Sequence, residues 1–78
     1  MKVINFYTRN GCLLCDDAKM MLQLFQDDWG FIIHEIDIEQ SEQLTERYGL
    51  SIPVIEIDGQ IIQEGIIDPS VMETYLKK

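Results

Sequence analysis

Cys12 and Cys15 are the only cysteines of the chain and stand three residues apart in Asn10-Gly11-Cys12-Leu13-Leu14-Cys15. A pair at this spacing can close a small disulfide ring, and the chemistry it suggests is reversible thiol–disulfide exchange. Cys12 would attack a disulfide and Cys15 would resolve the mixed disulfide that forms. The attacking species is the thiolate, and a free cysteine of pKa ~8.5 is only slightly ionised at neutral pH. Useful exchange therefore needs something nearby that favours the anion. The pair follows an apolar run and precedes a helical pattern. A helix begun at Cys12 would aim its unpaired N–H groups and the positive end of its dipole at that sulfur. Asp16 and Asp17 pull the other way, because carboxylates close to a thiolate disfavour it, so the expected depression of its pKa is mild. Cys15, one turn further in, is expected to be more buried and to stay protonated until the mixed disulfide exists.

The elements that must hold this pair are legible from periodicity. Residues 3–7 read as a buried first strand. From Cys12 or Leu13 to about residue 26 the pattern is helical, with Leu14, Ala18, Met21, Leu22 and Phe25 on one apolar stripe and Asp27, Asp28 and Gly30 closing it. Residues 31–38 alternate, with Ile32, His34, Ile36 and Ile38 on one face, which suits a strand near a sheet edge. A short helix over 40–48 is suggested by Leu44 and Tyr48 at i, i+4, with Gly49 at its C′ position. Strands over 53–57 and 60–63 meet through Asp58-Gly59, a strong hairpin signal. Asp68 as N-cap and Pro69 at the first helical position open a last helix whose buried face is Val71, Met72, Tyr75 and Leu76. The order is β-α-β-α-β-β-α, with the first two strands parallel and the last two antiparallel.

Composition narrows the function classes. The 78 residues leave room for one domain, expected over 1–78, and the 46% apolar content suffices for a small core without disulfide staples. One tight cysteine pair is not the framework of a secreted mini-protein and points to a cytosolic, redox-active role. No run is long and apolar enough for a signal peptide or a membrane span, so a soluble, cytoplasmic protein without membrane association is expected. Fourteen acids against six bases give a net charge of −8. That field repels phosphate backbones, which argues against nucleic acid, and favours basic partner surfaces chiefly through encounter rate.

Tyr7-Thr8-Arg9-Asn10-Gly11-Cys12-Leu13-Leu14-Cys15 after the first strand, and Ser51-Ile52-Pro53 before the third, resemble the glutaredoxin family of the thioredoxin-like fold. The hairpin over 54–62 and the approach Gly65 to Asp68 match it as well, so the resemblance covers essentially the whole chain. It implies an α/β, three-layer fold with a four-stranded mixed sheet and helices on both faces. It also implies a cis Ile52–Pro53 peptide facing the nucleophile, with the Ile52 backbone groups turned outward to pair with an extended substrate. Arg9 matches the position where glutaredoxins often carry Lys, and it is expected with Gly11 to support the thiolate. Leu13, Leu14, Ser51, Ile52, Pro53, Gly65 and Asp68 are expected to meet the substrate.

Two departures from the family pattern bear on the reductant. Leu13-Leu14 stands where glutaredoxins typically have Pro-Tyr, which removes one contact to glutathione. Leu14 is expected to pack in the core and Leu13 to be exposed, as part of an apolar rim. The segment 63–68 carries the single glycine Gly65 where glutathione binders usually have a Gly-Gly pair. Protein disulfides and glutathione mixed disulfides are both expected substrates. Glutathione or a thioredoxin-reductase-type donor would return the electrons, and the protein is expected to be a monomer with no bound cofactor. A rival reading is a binding module, either a dimer bridging a metal or iron–sulfur cluster through two C-x-x-C pairs or a non-catalytic interaction domain. No resident metal site is expected. His34 reads as an edge-strand surface residue, Trp29 as packing over a chain end, Tyr7 as core or site lining, and the methionines as core filler.

Overall fold

A computed structural model describes residues 2–77, so Met1 and Lys78 of the expected domain lie outside the described residues. Strand β1 (Val3–Thr8) leads through helix α1 (Leu13–Trp29) to β2 (Ile32–Asp37). A 3-10 turn (Ile38–Gln40) and helix α2 (Glu42–Tyr48) precede the hairpin of β3 (Val54–Ile57) and β4 (Gln60–Glu64), and α3 (Pro69–Leu76) closes the order. The sheet runs β2-β1-β3-β4. β1 pairs parallel with β2, Val3 beside Ile32 and Tyr7 beside Ile36, and antiparallel with β3, Ile4 beside Ile57 and Tyr7 beside Val54.

Being central, β1 has apolar side chains on both faces, which is why it reads as a nearly continuous apolar run rather than an alternating one. On one face Ile4, Phe6, Ile55 and Ile57 pack with Cys15, Ala18 and Leu22 of α1 and Met72 and Leu76 of α3. On the other, Tyr7 and Val54 pack with Ile38 and Tyr48 from the 3-10 turn and α2. The three layers expected from the sequence are those of the structure. Full burial of a side chain such as Leu22 or Phe6 contributes roughly 1.5–3 kcal/mol.

Some boundaries and faces differ from the sequence reading. Helix α1 runs through Asp27 and Asp28 to Trp29, because its stop is Gly30, held in the left-handed region at φ 64° with its N–H on the Gln26 carbonyl. Helix α2 begins at Glu42 with Ser41 as N-cap. Gly49 stays right-handed at φ −55°, its N–H on Thr45 O, and a Cβ there would strike that carbonyl oxygen. Val71 is 37% exposed rather than part of the buried face of α3. Asp58 and Gly59 both take positive φ, as a two-residue turn matched to strand twist requires. A bulge at 61–63 lets Ile62 join the first core.

Candidate active site

Thr8 ends the central strand, and residues 9–12 carry the chain into α1, with Gly11 at φ 77°. Cys12 is the N-cap of α1, in extended conformation, and its sulfur accepts the Cys15 backbone N–H at 3.1 Å. The Cys12 carbonyl starts the helix by accepting Asp16 N–H at 3.0 Å. A side-chain sulfur therefore fills the place that Ser or Asp usually takes, and the dipole end and free amides of α1 converge on it. Both effects favour a thiolate over a thiol at Cys12. Cys12 and Cys15 form a disulfide with a Cα–Cα distance of 5.2 Å, within the usual bridging range. Cys15 is 1% exposed and part of the core, whereas Cys12 is only partly buried. The outer sulfur is the one an incoming disulfide can reach.

The segment 51–53 lies between α2 and β3, and the Ile52–Pro53 peptide is cis. Cys12 and Ile52 pack against the same cluster of buried side chains, so the fold brings the two motifs to one end of the first core. The Gly65 N–H ties the next loop to this one, reaching Ser51 O at 3.0 Å and Pro53 O at 2.9 Å. The expectation that both Ile52 backbone groups face outward needs correction. Its N–H is given to the Tyr48 carbonyl at 3.1 Å, because the chain leaving α2 continues that helix's hydrogen bonding. The Ile52 amide is thus already taken within the chain.

Leu14 also departs from expectation. It is 47% exposed and, with Ala18, Met21, Gly65, Ile66 and Pro69, lines an apolar groove of about 300 Å³ between α1 and the loop before α3. At Leu14 the first turn of α1 faces this groove, while Cys15 beside it faces the packed core. Leu13 is 80% exposed, in agreement with the sequence reading. Asp68 caps α3, its Oδ1 accepting Ser70 N–H at 2.8 Å, and Pro69 follows at the first helical position. The Gln63 side chain clamps Asp68, accepting its N–H at 2.8 Å and donating to its carbonyl at 3.0 Å.

On the other side of the cysteines, a polar groove of about 430 Å³ is bordered by Arg9, Gly11, Cys15, Lys19 and Asp37. Arg9 is exposed and forms none of the salt bridges among the described residues, while Lys19 pairs with Glu35 at 3.2 Å. The sheet face opposite α1 carries a polar chain that sequence reasoning missed. Glu56 Oε1 accepts from Asn5 Nδ2 at 2.8 Å and from the Tyr7 hydroxyl at 3.1 Å, and His34 Nδ1 lies 3.3 Å from Asn5 Oδ1. Tyr7 stacks on Tyr48 with ring centroids 4.3 Å apart. Burial, then the neighbouring Tyr48 and Glu56, push the Tyr7 phenol up to about 12. His34 is exposed on the edge strand β2, and Trp29 is partly exposed where α1 ends.

Comparison with known proteins adds to this geometry. Residues 3–77 match the Glutaredoxin-like domain (DUF836) family. A relative described as "Glutaredoxin-like protein YDR286C homolog", from Dictyostelium discoideum, is 38% identical over 96% of this chain and 79% of its own length. The solution structure of protein Ne2328 from Nitrosomonas europaea superposes with a TM-score of 0.82 at 26% identity, covering 95% of this chain and 89% of that one. A thioredoxin from Halobacterium salinarum shares the fold at a TM-score of 0.69 and 18% identity, covering 97% of this chain and 72% of that one.

Proposed function

The chain belongs to the Glutaredoxin-like domain (DUF836) family, and from that premise we propose that it is a thiol–disulfide oxidoreductase working by a dithiol mechanism. The fold and the bonded C-x-x-C pair support a redox function in general. The observation that carries the specific reading is the Cys12 sulfur at the N-cap of α1, on the Cys15 amide at 3.1 Å and bonded to Cys15 itself. In the forward direction the Cys12 thiolate attacks one sulfur of a substrate disulfide. The substrate S–S bond breaks, one thiolate leaves and is protonated from solvent, and Cys12 holds the other half as a mixed disulfide. Cys15 then gives up its proton and attacks the Cys12 sulfur. The second substrate thiol departs, and the Cys12–Cys15 bond stores the oxidation. Two electrons have passed from the dithiol to the substrate, and a thiol donor must return them.

Arg9 and Gly11 support the thiolate in this reading, Arg9 by charge and Gly11 by its left-handed turn into the N-cap. Leu13, Leu14, Ser51, Ile52 and Gly65 form the rim on which a substrate chain rests; Pro53, expected there too, is fully buried and lies beneath it. Protein disulfides fit this rim better than glutathione. Gly65 stands alone, residues 66 and 67 are both Ile, the Asp68 carboxylate is committed to Ser70, and a net charge of −8 repels an anionic tripeptide. A monomer in the reducing cytoplasm, recharged by a dithiol reductase, is the setting consistent with this chemistry.

The test is turnover of a protein disulfide by wild type, Cys12→Ser and Cys15→Ser. The expected result is loss of turnover for C12S and accumulation of a mixed disulfide for C15S. Unchanged turnover by C12S would overturn the assignment. The same substrate supplied with glutathione and its reductase, then with thioredoxin reductase, identifies the donor.

A further inference from the structure

The outward side of α1 breaks two rules that helices of small soluble domains usually keep. Leu13, Met20 and Leu24 are 80%, 63% and 65% exposed. At about 100° per residue, spacings of seven and eleven put all three within about 40° of one another, directly away from the buried Cys15, Ala18 and Leu22. The stripe spans about 16 Å of helix, from the residue after Cys12 to the last turns. An apolar row on the solvent side of a helix gives the isolated domain nothing and exposes it to association.

The second anomaly is charge. Asp16, Asp17, Asp27 and Asp28 are all exposed, and by the same angular reckoning they flank the stripe, one pair near each end. Asp16 and Asp17 suit the N-terminal end. Asp27 and Asp28 occupy the C-terminal turns, where the dipole favours cations and where α1 has no basic residue. The one lysine of the helix, Lys19, is paired with Glu35 across its other side. Local stability accounts for neither the leucines and methionine nor the terminal acids.

We propose that the outward face of α1 is a docking surface for a partner protein that presents apolar side chains flanked by lysine or arginine. The complementary charges identify this occupant, and the stripe's origin beside Cys12 fixes its role: the partner whose disulfide exchanges at Cys12 lies along α1. This rests on the oxidoreductase reading above. The apolar contacts set how long the partner stays, and the aspartates speed its arrival. A second copy of this chain is a poor occupant, since its own α1 face carries the same negative charge.

Two fluorescent helical peptides without cysteine serve as probes, both with leucines at i, i+3, i+4 and i+7, one flanked by lysines and the other by glutamates. Fluorescence anisotropy against the oxidised protein reads binding, independently of any turnover. The lysine peptide is expected to bind at least about tenfold more tightly than the glutamate peptide at low salt. The preference should shrink as salt shortens the reach of surface charge to about 8 Å. Met20→Gln with Leu24→Gln is expected to weaken the lysine peptide about tenfold, Asp27→Asn with Asp28→Asn severalfold, and Ile61→Thr, on exposed β4, not at all. Equal affinity for the two peptides, or wild-type affinity in M20Q/L24Q, would overturn the proposal. A lysine peptide extended by a cysteine blocked with 2-mercaptoethanol, offered to the reduced dithiol protein, then links docking to exchange. Its rate relative to bis(2-hydroxyethyl) disulfide should fall about tenfold in M20Q/L24Q, and an unchanged ratio would overturn the coupling to Cys12. Binding as expected by a wild type that exchanges neither disulfide would leave the docking face standing and reject the oxidoreductase reading.

Discussion

Replacing Gln63 by Met removes both arms of the clamp on Asp68 while keeping side-chain length and nearly its volume. The two hydrogen bonds, at 2.8 and 3.0 Å, hold the backbone of the residue that caps α3 and so fix the far end of the loop over 65–68. A typical intramolecular hydrogen bond is worth about 0.5–1.5 kcal/mol net. Both bonds are solvent-exposed, and water can replace Gln63 at Asp68, so the lower half of that range applies. The expected loss is about 1–2 kcal/mol in total. For a domain of this size that lowers Tm by about 4–16 °C. Thermal unfolding of the oxidised protein followed by circular dichroism measures it. Gln63→Glu keeps the acceptor for Asp68 N–H but sets a carboxylate against the Asp68 carbonyl, so it should fall at or below Q63M. Combining Q63M with Asp68→Ala, which removes the cap to Ser70 and costs about 1 kcal/mol alone, should give less than the sum, because both act on one residue. A Tm for Q63M within about 1 °C of wild type would refute the argument and show that Gly65 and the cap alone hold the loop.

Leu22→Ala, at a fully buried position between α1 and the sheet, should cost about 3 kcal/mol in denaturant unfolding, a large share of the stability of so small a domain. Asp28→Lys should stabilise by about 0.5 kcal/mol, since it replaces an anion by a cation at the C-terminal end of α1; destabilisation would refute the dipole account of that turn. Subtracting the alkaline ultraviolet titration of Tyr7→Phe from that of wild type should isolate a phenol ionising at about pH 12. Because the folded value lies above the ordinary ~10, the un-ionised Tyr7 contributes stability that is complete below pH ~10 and is lost as pH rises toward 12, so wild type should lose its stability advantage over Y7F in that window.

The order of elements was legible because each strand and helix carries its own period and its own stop. Asp58-Gly59 and Asp68-Pro69 mark their turn and cap with residues whose backbone or side-chain chemistry admits few alternatives. The end of α1 was less legible, since Asp27 and Asp28 look like breakers although only Gly30 supplies the left-handed residue that stops the helix. Leu13 was read correctly as exposed, but Leu14 could not be assigned from periodicity alone, because α1 is apolar on more than one side and burial is decided by what the sheet and α3 cover. Cys12 and Cys15 were readable as a pair from spacing. The Tyr7–Glu56 contact joins residues 49 apart and depends on the register of β1 against β3. No local pattern encodes such a contact.

The central place of β1 has a consequence for how the chain is made. Synthesis delivers Val3–Thr8 and both cysteines well before the strand's antiparallel partner, which begins only at Val54, and the Gly65 tie comes later still. A nascent chain therefore carries two uncovered thiols, just beyond a strand lacking one neighbour, until residues 54–57 have left the ribosome. Long-range pairing of this kind closes late. During that interval the cysteines are reactive without the selectivity that the finished fold imposes, so the redox state of the surroundings, rather than of the site, governs their fate at birth.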